Sequence, residues 1–109
     1  MTTINVVPKS LKAWINNQPG VGAVPKLIVT LEAEVEIDWK VTLVSAVPQG
    51  INPLVKLLEF DVVKPTGPHS NAIAKRAIRY EEAPLHANYS DVTIENGGQN
   101  ISASVERVS

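Results

Sequence analysis

The sequence predicts an all-β protein, an antiparallel β-sandwich of about seven strands in a single domain over residues 1–109. Three observations carry this expectation. Apolar and polar residues alternate with period two over a long central stretch, which marks half-buried extended chain. Val and Ile supply 24 residues, fifteen and nine respectively, and their branched Cβ atoms suit a pleated sheet better than a helix. Pro and Gly cluster between the periodic segments, at Gln18-Pro19-Gly20, Pro48-Gln49-Gly50, Pro65-Thr66-Gly67-Pro68 and Asn96-Gly97-Gly98, as turns rather than linkers.

The first element is a short strand over Ser10 to Asn17, where Leu11, Ala13 and Ile15 alternate. A helix capped by Ser10 and stopped at Pro19-Gly20 is the rival. The strongest signal follows, from Leu27 to Val47. Here Leu27, Val29, Leu31, Ala33, Val35, Ile37, Trp39, Val41 and Leu43 share one parity, and Glu32, Glu34, Glu36 and Asp38 lie on the other. As one strand this run would extend roughly 70 Å, several times the common length, so it contains a bend, a bulge or a turn. No Gly or Pro marks the break, and one bent strand and two paired strands both fit.

A further strand runs from Leu54 to Val63, bounded by Pro53 and Pro65, with Leu58, Phe60 and Val62 on one parity and Lys56 the exception. The next spans Ala74 to Glu82, with Ile78 and Tyr80 on one side and Lys75, Arg79 and Glu81 on the other. Arg76 breaks its pattern, and a half-turn of helix around Asn71 to Ala77 is the rival. The last two strands, Asp91 to Glu95 and Asn100 to Val105, form a hairpin. Taking Gly97-Gly98 as its turn opposes Ile94 to Ile101 and Val92 to Ala103, so that four apolar residues share a face.

Strand spacing of this kind, a Trp in an early strand and a Tyr ahead of the penultimate one make an immunoglobulin- or fibronectin-like architecture the leading expectation. No family motif is present, and no residue role is carried over from one.

Composition excludes several functions. Lys+Arg 10 against Asp+Glu 11 gives a net charge of -1, which offers no broad attraction for nucleic acid. Cys 0 removes disulfides, thiolate metal sites and cysteine nucleophiles. No apolar run approaches the roughly 18 residues that a membrane helix requires. The N-terminus carries no export signal, so cytoplasm is the default unless a signal peptide has been removed. The Gly residues lack the Lys-Ser/Thr of a phosphate loop, and no serine sits in a nucleophile elbow.

Four groupings remain. The acidic row Glu32, Glu34, Glu36 and Asp38 reads as a solvated face opposite a basic strand carrying Lys75 and Arg79, with a cation site or a charged sheet edge as rivals. His69 and His86, with Glu82, could ligate a divalent metal, with Glu81 or Glu82 as the base toward bound water. The spacing matches no usual ligand motif, and no cofactor is predicted outside this alternative. Lys75, Arg76 and Arg79 form a basic patch that could grip a phosphate or an acidic partner, with a solvated strand face as the rival, and Trp14, Tyr80 and Tyr89 are candidate surface platforms. Asn88-Tyr89-Ser90 and Asn100-Ile101-Ser102 fit the glycosylation sequon. With no catalytic constellation, the sequence favours a non-enzymatic interaction module or homo-oligomer. It would act through an edge strand and the loops around Pro65 to Asn71 and Glu82 to Asn88.

Overall fold

A computed structural model describes residues 4–16, 24–68 and 72–108. These form eight strands: β1 (Asn5–Val6), β2 (Lys12–Asn16), β3 (Lys26–Glu36), β4 (Lys40–Ser45), β5 (Val55–Val63), β6 (Ile73–Glu82), β7 (Asp91–Glu95) and β8 (Ile101–Val108). The described residues contain no helix, and so none long and apolar enough to cross a membrane.

The strands make one curled, mixed sheet. β3 is flanked by β6 on one edge and by β1 and β2 on the other; β2 passes to β8, then β7, β5 and β4. The expected sandwich was purely antiparallel, and here the structure corrects it. β2 pairs with β8 and β5 with β7 in parallel, so the arrangement is not a clear antiparallel sandwich or immunoglobulin fold. The cause is connectivity. Between β5 and β7 the chain leaves to build β6 against β3, and it returns running in the β5 direction.

The long alternating run divides at Ile37–Trp39. Its halves β3 and β4 keep the same inward parity but do not pair with each other: β3 takes β6 and β4 takes β5. Neither one bent strand nor a hairpin describes it. The chain changes layers through a tight turn closed by the Trp39 N–H donating to the Glu36 carbonyl at 3.0 Å. Of the acidic row, Glu32, Glu34 and Glu36 lie on the outer face of β3, with Lys75 opposite Glu34 and Arg79 opposite Thr30, and Asp38 sits in the turn that follows. β3 is paired along both edges, which removes the edge-strand reading of that row. Residues 73–77 are strand, not helix.

The terminal hairpin has the expected register, Ile94 opposite Ile101 and Val92 opposite Ala103. Gly97 and Gly98 take φ of 59° and 90°, and the Gln99 N–H donates to the Asn96 carbonyl at 3.0 Å. Two successive left-handed residues are what a twisted two-residue hairpin demands and what glycine supplies without a Cβ clash. Inside the curl, Ile15, Leu27, Val29, Leu31, Leu58, Val92 and Ile94 are fully buried, and Trp39, Phe60 and Tyr80 pack around them.

The two ends of the strand order, β4 and β6, curl toward each other without a ladder between them. At one end of this closure Ser45 Oγ and the Tyr80 hydroxyl share a hydrogen bond of 3.0 Å. At the other, the Arg76 guanidinium donates to the carbonyls of Trp39, Ile37 and Glu36. A fork of N–H donors takes up carbonyls of the turn between β3 and β4.

Candidate functional site

One end of the curl combines a buried polar cluster with an exposed apolar loop. Glu82 ends β6 on its inward parity, and Lys56 points inward from β5. Burying either alone would carry a heavy desolvation cost, so the two are held together. Lys56 Nζ lies 2.8 Å from Glu82 Oε1, with both residues under 10% exposed. The Tyr80 hydroxyl donates to the same oxygen at 3.2 Å, and the Tyr89 hydroxyl donates to Oε2 at 2.8 Å. The His86 backbone N–H reaches Oε2 at 3.3 Å, and Lys56 Nζ stands 5.7 Å from the Tyr89 ring centre.

These contacts set the protonation states. Burial pushes the Glu82 carboxyl up, but Lys56, the Tyr89 hydroxyl and the His86 N–H together hold it below its ordinary range. The Tyr89 phenol is raised by its burial and by the carboxylate it faces. Both groups therefore stay in their bonded forms at neutral pH. Glu82 spends both oxygens on four donors, which leaves it a structural hub rather than an available base.

The apolar loop joins β4 to β5, from Ala46 to Leu54. Gln49 braces it by acting as a one-residue strand: its Nε2 donates to the carbonyls of Ala46 and Leu57 at 2.7 and 2.8 Å, and its Oε1 accepts the Leu57 N–H at 2.9 Å. Asn52 Oδ1 accepts the Leu54 N–H at 3.0 Å, and the Ser90 N–H donates to the Leu54 carbonyl at 2.8 Å. The brace presents Val47, 89% exposed, and Ile51, fully exposed, beside a half-exposed Leu54. A depression of about 290 Å³ lies against this loop, lined by Gln49, Asn52, Pro53, Lys56, His86 and Tyr89.

Among the described residues, those singled out from the sequence do not gather at one site, although His86 stands next to Glu82. His69 lies outside the described residues. His86 projects outward with its side chain 74% exposed and Nδ1 3.8 Å from Glu82 Oε1. Among the described residues no three His, Asp or Glu side chains converge as a metal-ligand set. Lys75 and Arg79 are exposed on the outer face of β6, and Arg79 bonds Glu81 at 3.0 Å. Glu81 also meets Lys26 at 3.4 Å, and these two cations hold its carboxyl below the usual range. Arg76 turns the other way, into the β4–β6 closure, so the three basic residues do not act as one patch. Trp14 is partly exposed on β2 and lines a separate groove of about 370 Å³ with Leu11, Glu106 and Val108.

Sequence reasoning did not single out Gln49, Val47 or Ile51. Their signal was present in Val47-Pro48-Gln49-Gly50-Ile51-Asn52-Pro53-Leu54, a turn segment carrying three large apolar residues and no charge. Comparison with protein-family models, curated proteins and solved structures finds no match.

Proposed function

We propose that the protein is a non-enzymatic protein–protein interaction or assembly module, working through the end of the sheet where residues 46–54 meet residues 82–88. The observation that carries this reading is the braced exposure of Val47 and Ile51. Large apolar side chains held in water by a rigid support are the usual anchors of a protein interface, because partner burial recovers their hydration cost without further ordering of the loop. The β4 and β6 edges turn toward each other, so the loops rather than an edge strand carry the surface.

Native mass spectrometry of the untagged protein from its own source, compared with the Val47→Ser/Ile51→Ser variant, tests the proposal. The expected result is a defined homo- or hetero-complex for the parent and a folded monomer for the variant. A parent that is monomeric throughout, or a complex unchanged by the substitutions, would overturn it.

A further inference from the structure

Asn96 ties together two parts of the chain 92 positions apart. Its Oδ1 accepts the Ile4 N–H at 2.7 Å and its Nδ2 donates to the Ile4 carbonyl at 2.8 Å. The amide thus serves as a strand partner for the residue just before β1. Asn96 is 4% exposed, and Ile4 is buried in the core.

The same residue begins Asn96-Gly97, the one Asn-Gly pair in the sequence. Such a pair carries chemistry of its own, because a following residue without a Cβ lets its backbone nitrogen close on the side-chain carbon. The Gly97 nitrogen forms a bond to Asn96 Cγ, and the amide nitrogen leaves as ammonia with the proton from the Gly97 N–H. Water then opens the cyclic imide at either carbonyl, which gives aspartate or isoaspartate. No electrons are gained or lost.

We infer that Asn96-Gly97 is a self-modification site gated by the docking of β1. While Ile4 is in place, both ends of the Asn96 amide are held and Cγ cannot swing toward Gly97. When β1 lifts away, that restraint goes. The product cannot restore the clasp: a carboxylate has no N–H for the Ile4 carbonyl and sets negative charge against a carbonyl oxygen in a buried site. Isoaspartate also lengthens the backbone of a turn whose register depends on two residues. Transient release of β1 thereby becomes permanent, and the β3 edge at Ala33 and Glu34, which β1 covers, is left open.

The test incubates the full chain in warm, mildly alkaline buffer and follows residue 96 by peptide mass spectrometry that separates aspartate from isoaspartate. Conversion in the native protein is expected to be at least about tenfold slower than in urea, as for other chemistry gated by local opening. Ile4→Pro, which removes the N–H that Asn96 accepts, is expected to convert in native buffer at close to the urea rate. Equal rates in native buffer and urea, or an Ile4→Pro protein that folds and stays as protected as the parent, would overturn the gate. Hydrogen exchange on Asn96→Asp tests the consequence without relying on Ile4→Pro folding. Fast exchange at the Ile4 and Val7 amides within an otherwise protected sheet is expected, and parent-like protection there would overturn the permanent release.

Discussion

Lys56 on β5 and Glu82 at the end of β6 form an ion pair of 2.8 Å whose side chains are each only 6% exposed. The pair fastens the layer built on β5 to the layer built on β3 at a level where the two have no backbone ladder in common. Both charges are inside, so the stability of this end depends on each keeping its partner.

Removing one partner should therefore cost far more than a surface charge would. Lys56→Met is expected to lower unfolding free energy by about 3–5 kcal/mol, because Glu82 remains buried without its cation. Lys56→Met/Glu82→Gln should lie closer to the parent, since the amide carries no charge, its oxygen still accepts from one tyrosine and its NH2 can donate to the hydroxyl oxygen of the other. Urea titration followed by circular dichroism gives both values, and a double variant weaker than Lys56→Met would contradict the assignment.

The same cluster fixes a stability window in pH. Glu82 is held below its ordinary 4.5, so its contribution is complete above that value and is lost as pH falls through the depressed folded pKa. Tyr89 is raised above its ordinary 10.0, so its contribution is complete below that value and fades as pH climbs beyond it. Urea midpoints measured across pH should form a plateau with an acid limb and an alkaline limb. Glu82→Gln should flatten the first and Tyr89→Phe the second.

Gln49→Ala removes the brace from the apolar loop while leaving its sequence of large side chains intact. A loss of about 1–2 kcal/mol is expected from three part-exposed hydrogen bonds. The sharper readout is local: the Leu57 amide should exchange much faster while the β3 and β7 amides keep their protection. Uniform loosening of the sheet would show that the brace is not confined to this loop.

Arg76 and its basic neighbours should separate cleanly on mutation. Arg76→Lys loses the fork that meets the carbonyls of Trp39 and Ile37, with an expected cost of about 1.5–3 kcal/mol. Lys75→Ala and Arg79→Ala, on the outer face, should stay within about 0.5 kcal/mol of the parent. Thermal unfolding of the three variants under one buffer condition decides it.

Much of the fold is written in the alternation. The parity of β3, β5 and β6 and the hairpin register all follow from which residues are apolar, because a strand with one wet face has a single workable register. The two residues that break those patterns prove informative. Lys56 breaks the β5 pattern because it faces inward to Glu82, and Arg76 breaks the β6 pattern because it faces inward to close the β4–β6 gap. What stays hidden is pairing between strands distant in sequence. Nothing local to β2 or β5 announces that its neighbour is the parallel β8 or β7, since parallel partners meet through long excursions of the chain rather than a turn. The Gln49 brace is hidden for the same reason, because a side chain standing in for a strand leaves no periodic trace.

β8 spends its first four residues on β7 and its last four on β2, and among the described residues no other strand has ladders to both halves of the sheet. It is also the last of the eight to leave the ribosome. Until it emerges, no ladder joins β2, β3 and β6 on one side to β4, β5 and β7 on the other. The two halves of the sheet can therefore be joined only once all eight strands have been made, so the closing contacts of this fold are long-range ones.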